Sequence, residues 1–142
     1  MGQGFEQLSL RSRRRDLQTM GRWLGVYADR VGLSEVDLRT LQLVLDELVS
    51  NVIRHGMGSE GDGSIDIRLE RVAAPALSVE VSDEGAPFDP SEATPPDLEL
   101  PLEQRSGGGM GLALVRELTS DLSYRRVDGR NVISFELPLT AP

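Results

Sequence analysis

Glu47, Asn51 and His55 stand four residues apart within LVLDELVSNVIRHG, residues 43–56. On an α-helix, positions four apart are rotated by only about 40° from one another, so the three side chains share one flank. That flank holds an acid able to take a proton, an amide whose carbonyl oxygen suits a hard cation, and an imidazole. A solvated polar face would explain the same row, and the row alone does not decide between the two readings.

Two later segments carry chemistry of their own. Ser82-Asp83-Glu84-Gly85-Ala86-Pro87-Phe88 places an acid at the end of an alternating run, followed by glycine. In isolation this is an ordinary turn. Gly107-Gly108-Gly109-Met110-Gly111-Leu112-Ala113-Leu114-Val115 sets glycines immediately ahead of an apolar helical pattern. Backbone N–H groups there can approach an anion, and the partial positive charge of the helix N-terminus favours it. A hinge before a helix is the plainer alternative. A dinucleotide-binding loop is disfavoured, because no parallel strand immediately precedes the glycines.

The elements that must position these groups are legible from periodicity. Residues Phe5 to Leu10 predict a first strand, and Leu17, Met20, Trp23, Leu24 and Tyr27 predict a helix over about Ser12 to Ala28, with Trp23 and Tyr27 as core or interface anchors. Gly32 breaks the chain. Ser34 with Asp37 resembles a capping box opening the next helix. Leu41, Val44, Leu45, Leu48, Val49, Val52 and Ile53 give that helix one buried face, and Gly56 closes it. After the glycine-rich turn Met57 to Ser64, Ile65, Ile67 and Leu69 alternate with polar residues, as do Leu77, Val79 and Val81, predicting a hairpin about Ala73 to Ala76. Residues Asp89 to Ser106 hold Pro90, Pro95, Pro96 and Pro101 and few large apolar groups, which predicts a lid. Tyr124 to Val127 and Val132 to Leu137 predict a closing hairpin about Asp128-Gly129.

Composition narrows the function classes. The 142 residues, 39% hydrophobic, fit one domain with its own core. No apolar run long enough for a membrane span and no signal pattern is present, which predicts a soluble, cytoplasmic protein with no membrane partner. The absence of cysteine excludes disulfides and thiolate metal sites. A net charge of −8 argues against direct nucleic-acid binding. There is also no lysine, which removes the P-loop lysine, the strand lysine of eukaryotic-type kinases and Schiff-base chemistry. The single histidine makes a His-rich metal site or a Ser-His-Asp triad an unlikely fit to this chain. The run Arg11 to Arg15 reads either as a docking patch for an acidic partner or as a solvated helix start.

ELVSNVIRHG, DEGAPFD and GGGMGLALV, in that order with the lid between the last two, resemble the nucleotide-binding boxes of the GHKL ATPases. The resemblance covers about Ser34 to Leu139 and implies the Bergerat fold: an α+β, two-layer sandwich with a mixed, mostly antiparallel sheet covered on one face by helices. Within the superfamily the chain looks most like the bacterial anti-sigma-factor serine/threonine kinases. The domain organisation expected is one ATP-binding kinase domain over residues 1–142, with an N-terminal strand and helix in 1–33 and the ATP lid in 89–106.

Carried over by position, the resemblance implies ATP and Mg²⁺ and a role for each matching residue. Glu47 is the general base and Arg105, at the end of the lid, the contact for the γ-phosphate. Asn51 ligates the metal. Asp83 accepts from the adenine amino group and Gly85 leaves room for the ring. Gly107, Gly108, Gly109, Met110, Gly111 and Leu112 hold the phosphates, and Asn131 or Ser134 stands where relatives carry a threonine near the adenine. His55 is expected to pack or to cap the helix. The partners implied are a STAS-type anti-anti-sigma protein, phosphorylated on serine, a sigma factor and a second copy of the chain. A nucleotide-gated binding module with little kinase activity, or the ATPase part of a split histidine kinase, are the alternatives.

Overall fold

A computed structural model describes residues 5–56, 63–72, 75–87 and 109–140. The lid at 89–106, Arg105, Gly107, Gly108, the turn at 57–62 and the side chain of His55 lie outside the described residues, so their expected roles have no counterpart below. The chain runs β1 (Glu6–Arg11), α1 (Asp16–Val31), α2 (Glu35–Asn51), a π-helical turn (Val52–Gly56), β2 (Ser64–Arg71), β3 (Ala76–Asp83), α3 (Gly109–Leu118), β4 (Ser120–Val127) and β5 (Arg130–Pro138).

The five strands form one sheet in the order β1-β2-β3-β5-β4, and every described pairing is antiparallel. Period-two alternation sends Ile65, Ile67 and Leu69 of β2, Leu77, Val79 and Val81 of β3, and Ile133, Phe135 and Leu137 of β5 to one face. Met20, Leu24 and Tyr27 of α1, Leu41, Val44, Leu45, Leu48 and Val49 of α2, and Leu112 and Val115 of α3 close over that face in a single apolar cluster. This is the expected two-layer α+β arrangement. The opposite face carries Arg68, Glu80 and Arg125, with Arg125 paired to Glu80 at 3.2 Å.

Local chemistry explains where the elements stop. Gly32, at φ 77°, takes the left-handed conformation that ends α1, and its N–H donates to the Ala28 carbonyl at 2.9 Å. Ser34 caps α2 as expected, its Oγ accepting from the Asp37 N–H at 3.0 Å. The carboxylate of Asp37 does not complete a capping box; it accepts instead from the N–H of Thr140, at 3.0 and 3.2 Å to its two oxygens, and from the Thr140 hydroxyl at 3.0 Å. Asp128 and Gly129, at φ 50° and 77°, make the two-residue turn between β4 and β5.

Three boundaries differ from expectation. The helix predicted to run unbroken to Gly56 leaves α geometry after Asn51 and finishes as a π turn, whose wider i→i+5 bonding no residue pattern announces. The first helix starts at Asp16, because Arg11 to Arg15 serve as the exit from β1: the Arg11 N–H donates to Asp16 at 2.7 Å and Ser12 N–H to the Gly63 carbonyl at 3.1 Å. β4 begins at Ser120, ahead of the expected Tyr124, across an irregularity in which Asp121 has φ 56°.

Candidate functional site

The predicted site residues that are described gather at one end of the molecule. Thr140, just beyond the β5 end that pairs Pro138 with Ala76, holds the start of α2. With 17 residues α2 is about 25 Å long, close to the length of β3. Its far end reaches the opposite edge of the sheet, where Ser50, Ile53 and Arg54 line a small cleft with Arg14 and Leu17. Arg14 follows the β1–β2 corner, and Leu10, Ile65, Asp83 and Asn131 form a continuous register row across that same end. α3 passes through Thr119 directly into β4 and packs against it, so the N-terminus of α3 points toward the end where β4 finishes. Gly109, Met110 and Gly111 form the first turn of that helix, one element further in than the loop position expected for them.

On α2, Glu47 and Asn51 sit one turn apart as predicted. Asn51 is 4% exposed. Its Oδ1 accepts from the Arg54 guanidinium at 2.6 Å, while its Nδ2 and Oε2 of Glu47 are buried with no hydrogen-bond partner among the described residues. Buried polar atoms without hydrogen-bond partners are costly and rare, and among the described residues these two have none. Arg54 also faces Glu47 at 3.8 Å, beyond hydrogen-bond range. The carbonyl oxygen of Asn51 therefore already holds a cation, and the donor set fits a hard metal ion once the guanidinium moves aside. Among the described residues no cluster of three or more His, Asp or Glu could bind a metal by itself.

Asp83 ends β3 on the helix side of the sheet, 2% exposed. Its Oδ1 accepts from the Gly85 N–H at 2.8 Å, an Asx turn, and from Asn131 Nδ2 at 3.0 Å. No described donor reaches Oδ2. Asn131, directly opposite on β5, is 3% exposed. Its Nδ2 also donates to the Ala86 carbonyl at 2.8 Å, and its Oδ1 accepts from the Tyr124 hydroxyl at 2.6 Å and from Arg126 at 3.2 Å. Arg126 donates in addition to the Gly85 carbonyl at 2.7 Å. Arg54, Tyr124 and Arg126 were not among the predicted site residues. Spacing carried a signal for Arg54, three after Asn51 and seven after Glu47, and the two-residue hairpin sets Arg126 opposite Asn131.

Behind this end, on the outer face, Arg130 ties three strands together. It pairs with Asp66 at 2.9 Å and Glu84 at 3.5 Å and donates to Ser82 Oγ at 3.3 Å. Glu84 also accepts from the Ser64 N–H at 3.0 Å, which together with the Ser64 hydroxyl holds its carboxyl below the usual glutamate range. Ser134 is on the outer face, paired with Glu80 and Ser123, and so does not face Asp83.

The chain is thus a two-layer α+β domain with a buried acid at a strand end, opposite a helix bearing an acid and an amide one turn apart. The chain belongs to the family described as the histidine kinase-like ATPase domain, which matches residues 10–137. Its relatives are protein kinases. It is 36% identical over 92 residues to the serine/threonine-protein kinase BtrW of Bordetella bronchiseptica, covering 65% of this chain and 64% of that protein. It is 30% identical over 110 residues to the serine-protein kinase RsbW of Listeria monocytogenes, covering 75% of this chain and 69% of the relative. The chain thus spans about two thirds of the length of these relatives. In fold it is similar to the structure of the RsbU and RsbW domains of a Mycobacterium tuberculosis protein, with a TM-score of 0.70 at 16% identity over 98% of this chain and 33% of that one. The catalytic domain of the histidine kinase ThkA superposes with a TM-score of 0.51 at 18% identity over 96% of this chain and 99% of that one. No helix among the described residues is long and apolar enough to cross a membrane.

Proposed function

We propose that this chain is an ATP-dependent serine kinase of the anti-sigma-factor type, which phosphorylates a serine on a STAS-type anti-anti-sigma protein and sequesters a sigma factor. The observation that carries this reading is the pair of buried polar atoms without hydrogen-bond partners among the described residues, Glu47 Oε2 and Asn51 Nδ2, on α2 at the end of the sheet where Asp83 lies. Kinase relatives covering most of the chain support it.

Each group has a task. Asp83 accepts from the 6-amino group of adenine through Oδ2, and the buried Gly85 leaves room for the ring. The first turn of α3, with Gly107 and Gly108 ahead of it, holds the phosphates through backbone N–H groups. Glu47 takes the proton of the substrate serine hydroxyl as its oxygen bonds to the γ-phosphorus and the bond to the ADP oxygen breaks. Arg105 meets the charge on the transferring group. Asn51 would hold Mg²⁺ through Oδ1; when bound, the ion neutralises the phosphate oxygens. The protein works in the cytoplasm as a dimer, with a sigma factor and its antagonist as alternate partners.

A second reading, a nucleotide-gated binding module with little kinase activity, draws on one observation: Arg54 lies across both Glu47 and Asn51. Incubation with labelled ATP and a STAS-domain partner encoded nearby separates the two. Serine labelling that disappears in Glu47→Ala while ADP still raises the melting temperature is the expected result. Labelling that persists in that variant removes Glu47 as the base, and no melting shift with ATP or ADP overturns the nucleotide reading altogether.

A further inference from the structure

Asn131 occupies the position where the resemblance implies a direct contact with adenine, yet its hydrogen-bonding capacity is spent inside the protein. A side-chain amide offers two N–H donors and two acceptor lone pairs. Here Nδ2 donates to Asp83 Oδ1 at 3.0 Å and to the Ala86 carbonyl at 2.8 Å. Oδ1 accepts from the Tyr124 hydroxyl at 2.6 Å and from Arg126 at 3.2 Å. The orientation of the amide follows from these partners. Turned over, its oxygen would face a carboxylate and a carbonyl, and its nitrogen the Arg126 guanidinium, which cannot accept, across hydrogen bonds that are buried or part-buried.

We infer that Tyr124 and Arg126 are positioning residues for base selection: they lock the Asn131 amide, which in turn fixes Asp83 so that only Oδ2 is open to a ligand. This rests on the nucleotide reading and deepens it. With Asn131 Nδ2 and the Gly85 N–H both on Oδ1, that oxygen has no capacity left. A ligand entering this corner meets one open acceptor, Oδ2, which no donor among the described residues occupies. It must therefore bring an N–H, such as the exocyclic amine of adenine, and a purine with a carbonyl at that position sets oxygen against carboxylate. If the amide were free to turn, the Asn131 oxygen would face Asp83 and push the carboxylate out of place. That displacement weakens the demand for a donor. Arg126 reinforces the arrangement by gripping the Gly85 carbonyl at 2.7 Å, which holds the Asx turn against β4.

The test compares ADP with inosine diphosphate, which carries a carbonyl in place of the amine, by calorimetric titration of the full chain. Wild-type protein should favour ADP strongly. Tyr124→Phe should reduce the ratio of the two affinities about fivefold, the weight of one ordinary hydrogen bond in holding the amide. Tyr124→Phe with Arg126→Leu should reduce it further, and Arg126→Lys, which restores a donor, should recover most of the loss. A purely structural role would weaken both nucleotides alike and leave the ratio unchanged, and that result overturns the inference. Equal wild-type affinity for both diphosphates overturns it too, and binding of neither removes the nucleotide reading beneath it. Melting temperatures of the variants without ligand, expected within a few degrees of wild type, confirm that the ratio is measured on folded protein.

Discussion

Arg54→Leu should strengthen magnesium-dependent nucleotide binding. The guanidinium sits 2.6 Å from Asn51 Oδ1, the oxygen assigned to the metal, and 3.8 Å from Glu47. A cation arriving at Oδ1 has to displace it. A hydrogen bond to a charged group is worth roughly 1.5–3 kcal/mol when shielded. The Arg54 side chain is 34% exposed, and solvent screening brings this contact to about 1 kcal/mol, with the longer approach to Glu47 adding a few tenths at most. Leucine keeps much of the apolar stem and removes the competitor, so the magnesium concentration at half-saturation should fall about fivefold. The assay is titration of magnesium into the protein with a fluorescent ADP analogue, read as bound nucleotide. A half-saturation point that stays put shows that Arg54 does not compete at Asn51. One that rises shows that the guanidinium helps bind phosphate, and the displacement argument fails.

Two further outcomes concern stability and pH. Asp37→Ala should destabilise the fold by about 2 kcal/mol in urea titration, because it removes the carboxylate that accepts from both the Thr140 N–H and the Thr140 hydroxyl, whereas Thr140→Val should cost about 1 kcal/mol. Equal losses from both would mean that the main-chain bond from Thr140 carries little. For Glu84, the folded-state carboxyl is held low by the Ser64 N–H and hydroxyl, so its contribution to stability is present above the ordinary value of 4.5 and lost as pH falls through the lower folded value. Glu84→Gln should therefore flatten the fall of melting temperature between about pH 5 and pH 3, and an unchanged acid limb would exclude that role.

The layers of the fold were readable because burial imposes a period. Leu41, Val44, Leu45, Leu48 and Val49 repeat at helical spacing, and Ile65, Ile67 and Leu69 at strand spacing, and all of them are buried. Glu47 and Asn51 followed from the helix, and Asp83 from the end of the alternating run. What escaped was set by geometry that residue type does not specify. Val52 to Gly56 is as good an α-helical sequence as a π-helical one, and only tertiary packing chooses. Tyr124 was assigned to a strand but not to the site, since its partner lies across a hairpin whose register depends on the left-handed Asp128-Gly129 pair. Asn131 was picked from its place in the last hairpin, but its partners Asp83, Ala86, Tyr124 and Arg126, and hence its proposed indirect role, needed coordinates. The basic run beside β1 was open between docking patch and helix start; Arg13 pairs with Asp16 at 3.3 Å, which gives at least that residue a structural use.

Thr140 and Asp37 join two places far apart in sequence, the end of β5 and the first turn of α2. Since α2 is also the beam that carries Glu47 and Asn51, the joint is a mechanical anchor for it. The joint therefore pins the start of the helix whose far end holds Glu47 and Asn51.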